Sequence, residues 1–128
     1  MKLTILSSLV AVFALSAEAS STFQCKGQTI GISVNKQTCR KIGQDLAPTC
    51  EAVVSYGRGM QKISVLVFTA QLPQTDFQTL SILTRPMANP SFAFSGMKSM
   101  KAGGTYAGEA HLEIDKKISK TEKMVCND

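Results

Sequence analysis

The chain has 128 residues, with 14 Lys and Arg against 9 Asp and Glu for a formal charge of +5, a single His and no Trp. That length excludes a TIM barrel or a two-lobed enzyme and fits one compact domain. Its 44% apolar and 18% charged content excludes a disordered chain, although part of the apolar share is concentrated at the N-terminus.

In chain order, residues 1–19 read as a secretory signal: Lys2 supplies the positive start, Leu3 to Leu15 form an apolar run broken only by Thr4, Ser7 and Ser8, and Ala17-Glu18-Ala19 is a small-x-small cleavage site. The run is too short to span a bilayer, and no later segment is apolar enough to anchor the product. The expected product is therefore exported, with residues 20–128 forming one domain. Phe23 to Ile32 alternates loosely around Gly27 and Gly31 and predicts a short strand or hairpin. Val34, Thr38, Ile42 and Leu46 recur near helical spacing; Asn35 is placed to cap, and Pro48 stops the element after Ala47. Beyond Cys50 the pattern turns to β, with runs at Val53 and Val54, Ile63 to Phe68, Phe77 to Leu83 and Phe92 to Phe94, each bounded by Gly or Pro. Along 107–115, Glu109, His111, Glu113 and Asp115 fall on one face of a strand, with Gly108, Ala110, Leu112 and Ile114 opposite. One N-terminal helix packed on a four- or five-stranded antiparallel sheet, an α+β domain, is the predicted fold.

Export implies an oxidising compartment, so Cys25, Cys39, Cys50 and Cys126 predict two disulfides. Of the three pairings, the positions favour an end-to-end clasp, Cys25 with Cys126, plus a local staple, Cys39 with Cys50. No Cys-x-x-Cys pair exists and His111 has no partner at ligand spacing, so neither a metal nor any other cofactor is expected. The candidate glycosylation sequon, Asn89-Pro90-Ser91, is blocked by its Pro.

Five short stretches resemble, in order, the small microbial guanyl-preferring ribonucleases and the fungal RNase-like secreted effectors built on that fold. Phe23-Gln24-Cys25-Lys26-Gly27 is similar to their aromatic-x-Cys start, and Ser55-Tyr56-Gly57-Arg58 to the Ser-Tyr-Pro-His stretch that supplies a catalytic His. Pro73-Gln74-Thr75-Asp76-Phe77-Gln78-Thr79-Leu80 resembles the segment carrying the general-base Glu. Gly103-Gly104-Thr105 followed by Gly108-Glu109-Ala110-His111 resembles the turn and strand carrying the catalytic Arg, and Met124-Val125-Cys126 the closing cysteine. The resemblance implies a ribonuclease-like domain over 20–128.

The departures bear on function. The matched positions hold Arg58 for the first His, Asp76 for the Glu and His111 for the Arg, and no second His exists. Such cleavage needs a base for the 2′-hydroxyl, an acid for the leaving oxygen and cationic donors for the phosphate. Arginine, with a pKa above about 12, is a poor proton donor near neutrality. No catalytic residue is therefore expected, and Tyr56, Arg58, Asp76 and His111 read as degenerate positions. Plainer readings stand beside this one: a Gly-rich turn at Tyr56 to Gly59, a turn-initiating Asp76, a solvated strand face at His111, and Met60, Met87, Met97, Met100 and Met124 as core filling.

No acidic residue lies between Asp76 and Glu109, where Arg85, Lys98 and Lys101 fall. Tyr56, Arg58, Arg85 and Lys98 are the candidate binding residues, and the modest positive charge favours polyanions. The expectation is a secreted, monomeric, non-catalytic effector that binds a host protein or RNA. An active extracellular ribonuclease or ribotoxin with a divergent site, and a killer-toxin-like secreted protein, are the alternatives.

Overall fold

The structure, a computed structural model, describes residues 22–41, 43 and 47–127; the expected signal segment and part of the expected helix lie outside them. The described residues form eight strands and no helix: β1 (Thr22–Gly27), β2 (Ile30–Arg40), β3 (Thr49–Tyr56), β4 (Gly59–Gln71), β5 (Phe77–Thr84), β6 (Ser91–Ser99), β7 (Gly103–Ile114) and β8 (Ile118–Asn127). Each pairs antiparallel with its successor, and β8 returns to β1, closing an up-and-down barrel.

This overturns the α+β fold. The β-runs of the second half are present and longer than expected, but the predicted helix is absent: its first part is strand β2, and Ile42 and Leu46 lie outside the described residues. The reason lies in Ile30, Ile32 and Val34, β-branched residues spaced by two, all buried in the barrel interior. Asn35, expected to cap a helix, instead accepts the Gln37 amide at 3.0 Å where the β2–β3 ladder shifts register. The Thr38 hydroxyl donates to the Asn35 carbonyl at 2.7 Å and accepts the Glu51 amide at 2.8 Å, tying the bulge to β3. The last strand was hidden by its charge: Lys120 and Glu122 occupy inward-phase positions ahead of buried Met124 and Cys126.

An eight-stranded barrel encloses a space that side chains alone can fill. Here Phe23, Ile30, Ile32, Val34, Val54, Val65, Leu80, Ile82, Phe92, Phe94, Leu112 and Met124 fill it, at about 1.5–3 kcal/mol for each large apolar side chain removed from water. Of the methionines expected in the core, Met124 is buried, whereas Met60, Met87, Met97 and Met100 are exposed, Met87 almost completely. The outward positions include Lys26, Glu51, Lys62, Glu109, Glu113 and Lys123, which interrupt the continuous apolar band that a lipid-facing barrel requires. No helix of the described residues is long and apolar enough to cross a membrane.

On β6 and β7, Gly96 and Gly108 face each other in the ladder. A Cβ at Gly108 would overlap the Ser95 carbonyl oxygen and lie 2.5 Å from the Gly96 Cα; one at Gly96 would lie 2.5 Å from Phe94 Cζ, so the Phe94 ring covers that gap from inside. Both disulfides form as expected, Cys25 with Cys126 and Cys39 with Cys50, which fits an extracellular compartment. Cys25 and Cys126 are directly paired residues of the β1–β8 seam, the shortest ladder of the barrel.

Glu122 locks the β1–β2 turn. Its carboxylate accepts the Thr29 hydroxyl at 2.5 Å and the Thr29 and Ile30 amides, each at 2.9 Å. Partial burial pushes its pKa up, but the bonds from Thr29 and Ile30 and the Lys120 charge outweigh this, so it settles below the ordinary 4.5. A lowered folded-state pKa contributes stability above the unfolded value, and that contribution is lost as pH falls through the folded value. Glu122→Gln is accordingly expected to unfold at lower denaturant than the parent at pH 7, with the gap closing as pH drops below about 4.5. Urea titrations from pH 7 to pH 3 check it, and a gap that widens on acidification contradicts the assignment.

Candidate functional site

Alternation sends odd-numbered residues of β5, β6, β7 and β8 outward and their neighbours into the core. The ladder registers then set the outward side chains in rows across five strands. Leu66, Leu83, Ala93, His111 and Thr121 form one row, and Phe68, Ser81, Ser95, Glu109 and Lys123 the next. Ala70, Thr79, Met97, Ala107 and Val125 form the third. On β5 and β6, and on β4 from Ser64 onward, no outward residue is charged. Phe68, Phe77 and Met97 are each more than two-fifths exposed.

This face is not flat. The small side chains of β5, β6 and β7 leave a concavity of about 580 Å³ lined by Ser81 on β5, by Ala93, Ser95 and Met97 on β6, and by Glu109 and His111 on β7. Leu66 and Phe68 stand on the near side, one strand away. His111 is held by its neighbours: Nδ1 lies 2.7 Å from the Thr121 hydroxyl and Nε2 3.2 Å from a Glu113 carboxylate oxygen.

The residues singled out in the sequence do not converge. Because consecutive connections alternate between barrel ends, Tyr56 and Arg58 sit at one end, and Asp76 and Lys98 at the other. Tyr56 packs against the core and Arg58 is exposed in the β3–β4 turn. Asp76 accepts the Ser99 hydroxyl and, at 3.0 Å, the Lys101 amide, which ties the β4–β5 loop to the β6–β7 turn. The Lys98 ammonium lies 4.6 Å from the centroid of the buried Tyr106 ring, closing the barrel mouth. The Arg85 guanidinium donates to the Thr49 hydroxyl at 3.3 Å. His111 alone of the degenerate set lines the concavity. Among the described residues no three His, Cys, Asp or Glu side chains cluster as a metal site would require.

The stretch without acidic residues between Asp76 and Glu109 was the sequence's sign of this face. Its cations lie away from the outward strand positions: Arg85 in a loop, Lys98 on the inward phase at a strand end, Lys101 in a turn. What remains outward is Ser, Thr, Ala and a few large apolar side chains. No protein-family model, curated protein or solved structure matches the chain.

Proposed function

We propose that the protein is an exported, non-catalytic binding protein that docks a partner protein on the outward face of β4–β6. One observation carries this reading: on a chain of charge +5, the outward positions of β5, of β6 and of β4 from Ser64 onward are uncharged, with Leu83 and Met97 lining a concavity and Leu66 and Phe68 beside it. A protein surface desolvates such a face at little electrostatic cost, whereas RNA needs cations for its phosphates and exposed aromatics for its bases. Tyr106 is buried and Tyr56 turns toward the core; the exposed aromatics of the face, Phe68 and Phe77, have no cation at the neighbouring outward positions of β5 and β6 to hold a phosphate backbone. Catalysis finds no support in the separation of Asp76 from His111, since proton transfer requires groups within reach of one substrate.

Lys62 and Lys123 flank the face, while Lys116 and Lys117 occupy the β7–β8 turn at a barrel end. Amine-reactive crosslinking of the exported protein in its natural milieu is expected to join partner proteins through Lys62 and Lys123. Ser81→Arg, in the middle of the face, is expected to remove at least nine-tenths of those crosslinks and spare any at Lys116 and Lys117. Crosslinks indifferent to Ser81→Arg, or RNA retained at physiological salt equally by parent and variant, would overturn the reading.

A further inference from the structure

We infer that the occupant of the β4–β6 face is a second copy of this chain, paired about a two-fold axis that lies in the interface along β5. This rests on the reading of that face as a docking surface and departs from the monomer expected of the sequence. Two features point to it.

The first is charge. Two copies of a +5 chain repel each other, and across most outward strands a self-contact would bring like charges together. The outer surfaces of β5 and β6, with β4 from Ser64 onward, avoid this. Burying this patch against itself removes apolar area without placing a cation against its own image.

The second is shape. A two-fold axis along β5 lays β4 of one copy over β6 of the other while keeping the rows level. Leu66 then faces Ala93 of the other copy, Phe68 faces Ser95, and Met97 faces Ala70. Each large side chain of one strand meets a small one of the other, and Leu83, Ser81 and Thr79 meet their own images. The β6 side of the concavity, at Ala93 and Ser95, is the hole, and Leu66 and Phe68 are the projections that enter it. Aligned sheets cross at about −30°, so the match is best near Ser81 and loosens outward. Three strands about 4.8 Å apart offer a contact at the small end of specific interfaces, so the pair dissociates on dilution.

Sedimentation equilibrium of the purified disulfide-bonded protein, from about 1 μM to about 1 mM, tests this over the range expected of a small interface. The parent mass is expected to rise from one chain toward two. Ser81→Arg and Ser81→Glu, each bringing like charges together on the axis, are expected to remain single chains, and their equimolar mixture to pair again. Phe68→Ala is expected to weaken pairing at least tenfold, and Lys26→Glu, on the far side of the barrel, to leave it within twofold. Circular dichroism checks that each variant keeps its strands. A parent that stays one chain throughout, or a dimer unaffected by Ser81→Arg, overturns self-pairing. If the parent is a single chain yet Ser81→Arg still abolishes the Lys62 and Lys123 crosslinks, self-pairing fails and the docking face stands; if those crosslinks also persist, both fail.

Discussion

Replacing Cys25 and Cys126 together by Ala is expected to lower stability by about 4 to 5 kcal/mol, the loop-entropy contribution of a bridge closing about 100 residues. The two cysteines are 101 positions apart and face each other across the seam that turns an open sheet into a barrel. Without the bond, that seam is held by the shortest of the eight ladders, and the unfolded chain regains the freedom of nearly the whole domain. For a domain this size each kcal/mol shifts the melting midpoint by about 4–8 °C, so a fall on the order of 20 °C is expected. The Cys39–Cys50 bridge encloses a loop of separation 11, worth about 3 kcal/mol in the same treatment. Thermal melts of the two double variants compare them directly. Equal losses, or a larger loss at Cys39–Cys50, would show that the seam is not the weak closure it is taken to be.

Gly108→Ala is expected to cost more than about 4 kcal/mol or to abolish folding, placing it among the exceptional single substitutions. The added methyl group overlaps backbone atoms of Ser95 and Gly96, which cannot rotate away as a side chain end would. Relief requires β6 and β7 to separate at their glycine pair, which disrupts the ladder and lifts Phe94 from the core. Gly59→Ala supplies the contrast: its methyl meets the Tyr56 carbonyl at 3.6 Å, ordinary contact, and a change within about 0.5 kcal/mol is expected. Urea unfolding of both variants followed by circular dichroism decides it. A Gly108→Ala protein within about 1 kcal/mol of the parent would mean that the two strands are not held at the spacing described.

The β-runs from Val53 onward were legible in the sequence because alternation and Gly or Pro boundaries agree there, as were both disulfides. The face of β7 was legible too: Ala110 and Leu112 are buried, and Glu109 and Glu113 are exposed. What misled was the segment after Val34, where Thr38, Ile42 and Leu46 mimic a helical period and Asn35 mimics a cap. Two long-range facts decide against the helix, the pairing of β2 with β3 and the Thr38 hydroxyl bonded to the Glu51 amide, and neither appears in a local window. Closure was likewise invisible, because it depends on β8, whose inward Lys120 and Glu122 break the apolar alternation. Glu122 occupies that phase to hold the β1–β2 turn, a partner some ninety positions away in the chain. The uncharged face of β5 and β6 could be glimpsed only as a run without acids; register was needed to show that the cations of that run lie off the face.

Closure of the barrel has a last consequence for recognition. With β8 returned to β1, each described strand is paired on both sides for part of its length, so a partner finds short exposed stretches, such as residues 59–64 of β4, rather than a whole edge strand to extend. Along the doubly paired stretches, side chains alone are left to meet a ligand. Because adjacent residues on each strand point to opposite sides of the wall, the outward set of β4–β6 can change while the inward set goes on holding the barrel shut.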